Sequence, residues 1–182
     1  MVFIHDTKRA LMAAVDLVNT LPGTDGDDRM LTARDLDDYV AANPYSGPIP
    51  RDDASLAAIR DVRSRLRGLW NVGRDDAVPL VNAMLRDGGA LPRLVIHEGY
   101  DWHIHATSDD APLATRILVE AAMAFVDVIR SDEYGRVRVC AADDCDAVYV
   151  DYSRNGSKRY CDTGNCGNRM NVIAYRERKA QA

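Results

Sequence analysis

Cys140-Ala141-Ala142-Asp143-Asp144-Cys145, then fifteen residues, then Cys161-Asp162-Thr163-Gly164-Asn165-Cys166: these two short-spaced pairs hold every cysteine of the chain, and the 139 residues before them contain none. A tetrahedral zinc site needs four soft ligands delivered from two tight turns, which this arrangement supplies. The x4 spacing departs from the x2 spacing of ordinary zinc ribbons. Two disulfides would also suit the even count, but nothing marks the chain for export and cytosolic thiols stay reduced. An iron-sulfur cluster could take four thiolates as well. A redox dithiol lacks its C-x-x-C. Four cysteines close a zinc coordination shell, so the expected ion is single and structural, and its binding supplies folding energy that so short a module lacks.

Working outward, Ala147 to Tyr152 alternates, Ser153-Arg154-Asn155-Gly156-Ser157 supplies a turn, and Lys158-Arg159-Tyr160 returns to Cys161. The insert therefore predicts a hairpin. From Asn168 to Lys179 the spacing is helical, with Met170, Ile173 and Ala174 facing inward and Asn168, Asn171, Tyr175 and Arg178 forming the opposite stripe. Gly135 marks the boundary in front of this module, giving an expected division into 1–134 and 135–182.

The body before Gly135 reads mainly as helices. Leu11, Met12, Val15, Val18 and Leu21 share one helical face until Pro22-Gly23, and a polar loop runs from Thr24 to Met30. Thr32 predicts an N-cap with Asp35 in the first turn of a helix that buries Leu36, Tyr39 and Val40. Ser55 to Trp70 is the clearest early helix, lined by Leu56, Ile59, Val62, Leu66 and Leu69, with Arg60, Arg63, Arg65 and Arg67 on a solvated remainder. Ala77 to Arg86 is a further helix. Around Arg93 to Ala106 the period becomes two, predicting a hairpin that turns at Glu98-Gly99. Pro112 to Arg130 is apolar over much of its circumference and belongs at the centre of the body or at a dimer contact. The expected fold is mainly α with one β-hairpin (α+β), followed by a zinc-stabilised hairpin-plus-helix finger.

The chain of 182 residues is long enough to bury a core, and its net charge of -5 by itself argues mildly against nucleic acid. That average conceals a split. From Gly135 onward nine Lys/Arg face six acids, a local charge of +3, which leaves -8 on the body. An acidic body with a basic end fits two separate jobs, though ordinary solvated charge would read the same way. No stretch approaches a membrane span, and the opening residues MVFIHDTKRA lack the basic-then-apolar order of a secretory signal, so a cytoplasmic location is expected.

Cys166-Gly167-Asn168-Arg169 resembles the signature of the CGNR zinc-finger family. The likeness runs through Asp151-Tyr152-Ser153, Lys158 to Cys161 and Tyr175 to Arg178, while Asp16-Leu17-Val18-Asn19-Thr20-Leu21 is similar to the opening of the helical ABATE-type domain found in front of that finger. Tyr160 stands where relatives commonly have Trp, and the hairpin tip carries a single Arg154. The resemblance implies a bacterial, stress-linked transcriptional regulator in the cytoplasm, associated with the nucleoid, whose finger binds double-stranded DNA and whose helical domain senses a small-molecule effector.

On that reading Cys140, Cys145, Cys161 and Cys166 are the metal ligands. Asn168, Arg169 and Asn171 are placed near base edges, and Arg154, Lys158, Arg159, Arg176, Arg178 and Lys179 complete the DNA-binding set, largely on phosphates. For Asn168 and Arg169 bracing of the finger is an equal second reading. A homodimer is expected, since one finger seldom supplies enough affinity. The alternative is a zinc-stabilised protein-interaction module without direct DNA binding. Catalysis is not expected: His97, His103 and His105, with Glu98 and Asp101, are the one cluster that could support it or a second metal. Trp70, Tyr100, Trp102 and Phe125 are candidates for a pocket, with core packing as their default. Asn19 and Thr20 are expected to cap the first helix.

Overall fold

A computed structural model describes residues 3–23, 26–97 and 100–180. The expected turn at Glu98-Gly99 and the loop start at Thr24 lie outside the described residues, as do the side chains of His97 and Tyr100. The chain forms α1 (His5–Val18), α2 (Ala33–Ala42), α3 (Asp53–Arg67), α4 (Arg74–Asp87), β1 (Arg93–His97), β2 (Tyr100–His105), α5 (Leu113–Arg130), β3 (Val137–Val139), β4 (Val148–Val150) and α6 (Cys166–Ala180). The α+β expectation holds, with two separate antiparallel hairpins, β1-β2 and β3-β4.

The apolar helix α5 is the centre of the body, packed against α1, α3 and α4, with Ile117, Ala122, Phe125 and Val128 fully enclosed. Trp70 and Phe125 meet edge to face at 5.3 Å within this core. Both are packing residues, and neither lines the cavity described below. Thr32 and Asp35 form a reciprocal capping box at the start of α2. Asp52 caps α3 through the Ser55 amide.

Three features differ from the sequence expectation. The first is the arginines of α3, of which Arg63 is buried and the other three half-buried, each on a protein acceptor. Arg63 is 4% exposed and donates to both Asp28 carboxylate oxygens, at 2.7 and 2.6 Å, and to the Thr20 carbonyl. Arg60 donates to the Met30 and Leu31 carbonyls, Arg65 to Asp87, and Arg67 to the Asp146 carbonyl. Helical periodicity places these side chains beside the core face but cannot show that loop carbonyls and a distant carboxylate come to meet them. The second is the partner of β4, which pairs with β3 and not with 158–160. Both faces of β4 are buried, so the alternation of 147–152 separates two interiors: Val148 and Val150 join the main core, Tyr149 the finger cluster. The third is Ile173, which is 45% exposed because α6 outruns the small finger it starts from.

A cavity of about 410 Å³ opens between α1, the 42–46 loop, β2 and α5. Glu120 lines it, and burial pushes its carboxyl up to about 7, outweighing the nearby charges of Arg116, Arg9 and His103. The folded chain thus holds this proton more firmly than the unfolded chain, whose carboxyl titrates near 4.5. Stability tied to Glu120 is therefore fully present below the unfolded value and is lost as pH rises through the folded one. Glu120→Gln should raise stability by roughly 2 kcal/mol at pH 8 and leave it nearly unchanged at pH 4. Urea unfolding of both proteins at the two pH values checks this; equal curves at pH 8 would show a solvated carboxylate.

Candidate metal centre and the junction with the body

The segments bearing the cysteines are bound to one another through the backbone. Cys140 N–H donates to the Ala147 carbonyl, and Ala141 N–H to the Arg159 carbonyl. Beneath them Asp151 is fully buried, accepting from the amides of Ser153 and Lys158 at 2.8 Å each, with Arg138 at 3.6 Å. Burial alone would raise its carboxyl, but these donors hold it below its ordinary value. One carboxylate thereby shapes the whole turn from 151 to 158 and sets the approach of Cys161.

The four sulfur atoms, Sγ of Cys140, Cys145, Cys161 and Cys166, all lie within 4.8 Å of one another, and three of the cysteines are buried. None is in a disulfide. Burial pushes the Cys145 thiol up to about 12 and also raises Cys161. For Cys140 burial is again the largest influence, yet amide donors from Cys161 and Ala142 outweigh it and lower the thiol. Four sulfurs at this separation, three of them buried, cannot all ionise without a cation among them. Amides that donate to sulfur are what a bound thiolate requires. The donor set fits one structural zinc ion with no position left for water.

Residues 11–132 match the family model ABATE, described as "Putative stress-induced transcription regulator". The chain belongs to the ABATE family. Residues 136–179 match the CGNR zinc finger model. A search of curated proteins finds no match. Neither family model describes an enzyme, and no described helix is long and apolar enough to cross a membrane.

Within the CGNR finger the signature residues serve different ends. Arg169 pairs with Asp144, one of its contacts measuring 2.9 Å, and donates to Cys166 Sγ at 3.2 Å. It braces the metal cluster, so of the two readings open for it the structural one describes its contacts here. Asn168 donates to the Asn165 side chain at 2.8 Å, steadying a residue with φ of +50° just before α6. Gly167 lies beside the Tyr160 ring, where a Cβ would make ordinary contact at 3.8 Å. Lys158 is drawn to Asp162 at 2.5 Å. Arg154, Arg159, Asn171, Arg176, Arg178 and Lys179 are exposed, the first two on the finger's loop and the others along α6.

The ABATE body grips the finger at Asn19, a role its position at the end of α1 did not reveal. Its side-chain amide donates to the Val148 carbonyl at 3.0 Å and its carbonyl accepts from the Val148 amide at 2.8 Å. Asn19 thus occupies the edge of β4 as a neighbouring strand would, and the two-way pattern fixes its amide orientation. Thr20 does turn back on the helix, donating to the Leu17 carbonyl at 2.6 Å. Trp70 Nε1 donates to the Tyr149 carbonyl at 3.1 Å, completing the clamp on β4. Asn19→Ala should cost about 2 kcal/mol by stranding both Val148 groups. Asn19→Asp should be no better, because its carboxylate faces a carbonyl. Urea unfolding checks both; a fully stable Asp variant would argue against the two-way contact.

Proposed function

We propose that the chain is a DNA-binding transcriptional regulator in which the segment 135–182 carries the contact and the segment 1–134 senses an effector. Cys140, Cys145, Cys161 and Cys166 hold the zinc that organises the finger. The observation that carries this reading is α6. It is anchored through Cys166 and Met170, and beyond them its residues are exposed or half-buried, with Arg176, Arg178 and Lys179 against one Glu177. A projecting basic helix on a rigid mount is suited to phosphate and groove contact. Asn171 and the exposed Arg154 and Arg159 extend the cationic and polar surface. The cavity beside Glu120 is the natural effector site, and a homodimer acting in the cytoplasm at the nucleoid would supply the affinity a single finger lacks.

Fluorescence anisotropy with fragmented genomic duplex, followed across salt concentration, tests this. The zinc-loaded chain should bind with a steep salt dependence. Replacing Arg176, Arg178 and Lys179 together by Ala should flatten the slope by about 0.9 for each phosphate contact removed. Indifference to duplex at low salt, or binding that ignores the triple change, would sink the reading. A second reading, a zinc-stabilised protein-interaction module, draws on the same helix: Val172, Ile173 and Tyr175 are 47, 45 and 60% exposed and offer apolar surface. Loss of a partner protein, with no change in DNA affinity, on replacing Ile173 and Tyr175 would favour it.

A further inference from the structure

The cavity in the ABATE body has two histidines on its wall. His103 and His105 alternate along β2, so both turn inward and line the cavity, whereas Trp102 between Asp101 and His103 is 63% exposed. His103 Nδ1 lies 2.8 Å from the Asp101 carbonyl oxygen. A carbonyl only accepts, so this nitrogen carries the proton. His105 Nδ1 lies 3.4 Å from an Asp109 carboxylate oxygen, which the Ser46 hydroxyl holds at 3.0 Å. This carboxylate orients the His105 ring from its Nδ1 side. The two Nε2 atoms are 3.1 Å apart. Two imidazole nitrogens bound to one metal ion at about 2.0–2.1 Å each stand at about this separation.

We propose that His103 and His105 bind one divalent transition-metal ion through their Nε2 atoms at the wall of this cavity. The site is separate from the four-cysteine centre. Imidazole nitrogen suits Zn²⁺, Ni²⁺, Co²⁺ and Cu²⁺. Ring N–H groups directed at a carboxylate and a backbone carbonyl are the outer-shell pattern that orients metal-bound histidines and raises their basicity. Among the described residues no third His, Cys, Asp or Glu joins the pair within ligand reach. The remaining coordination positions belong to water or to a small donor molecule in the cavity, so this ion exchanges freely while the finger's ion stays closed in. Thr7, Tyr45, Glu120 and Asp127 line the space available to that donor. The site stands whether or not the finger contacts DNA.

The test uses the full chain with its finger saturated with zinc, titrated with Ni²⁺ by isothermal calorimetry. One further equivalent should bind. His103→Gln and His105→Gln should each weaken it at least roughly tenfold, and Asp109→Asn should weaken it about tenfold by releasing the His105 ring. His5→Gln, at the exposed start of α1, should leave it unchanged. Independently of any variant, Ni²⁺ added to the wild-type chain should broaden the ring C–H proton resonances of His103 and His105 by paramagnetic relaxation and spare those of His5. Absence of an equivalent beyond the finger zinc, affinity untouched by both Gln variants, or broadening that spares the two rings would each overturn the site.

Discussion

Removal of the metal should unfold the finger and loosen the body with it. Chelation should release one zinc per chain, and Cys161→Ser should abolish its tight retention. Structural zinc contributes on the order of 10 kcal/mol to folding small modules. Without it, burial holds Cys145 and Cys161 as neutral thiols, and nothing draws the two cysteine turns together. The consequence extends past the finger because Val148 and Val150 of β4 belong to the main core. Loss of β4 would also remove the Tyr149 carbonyl that accepts from Trp70 Nε1. Trp70 is buried and Trp102 is already exposed, so intrinsic fluorescence should shift red as Trp70 meets water. A chelated chain that kept its native emission and melting temperature would show a finger that folds by packing alone.

The second large effect is expected at Arg63. Arg63→Met should cost about 3–5 kcal/mol, since it leaves the Asp28 carboxylate without the partner that neutralises it. The loss is severe against a total domain stability of roughly 5–15 kcal/mol. Both Asp28 oxygens accept from Arg63, and this contact holds the carboxyl below its ordinary value. Arg63 also donates to the Thr20 carbonyl and hydroxyl, immediately beside Asn19. The variant should therefore release zinc faster as well as unfold at lower urea, because the grip of Asn19 on β4 loosens with its neighbour. A variant within about 1 kcal/mol of the parent would mean that the pair is solvated. Asp28→Asn in the Arg63→Met background should recover part of the loss, which a simple packing defect would not allow.

These two effects meet at the junction between body and finger. Asn19, Arg67 and Trp70 all reach carbonyl or amide groups on the 146–149 stretch. A change of shape in α1 or α3 would be felt at β4 directly, with no intervening linker. The cavity shares α1 with this junction: Thr7 on its wall donates to Asp127 of α5 at 2.5 Å, linking the two helices that flank the space. The proposed effector site and the proposed DNA-contacting module are thus joined by one helix.

What the residues alone determined is local. Spacing picked out the four cysteines because a metal site made of two tight turns is written in short intervals, and the structure gathers all four sulfurs. The helices were legible because their buried faces recur every three or four residues, and the capping box of Thr32 and Asp35 lies within one turn. Alternation likewise placed His103 and His105 on one face of β2. Tertiary structure decided the rest. Only the folded chain brings Asp28 to Arg63 and Val148 to Asn19, contacts that span 35 and 129 residues. The partner of β4 was misread for the same reason: Val148 and Val150 answer to a core in which α1, more than a hundred residues earlier, lies against them, not to the nearest extended segment. Arg169 could be read from its motif as reaching a base or bracing the finger, and its contacts with Asp144 and Cys166 appear only once the two cysteine turns have closed around a common centre.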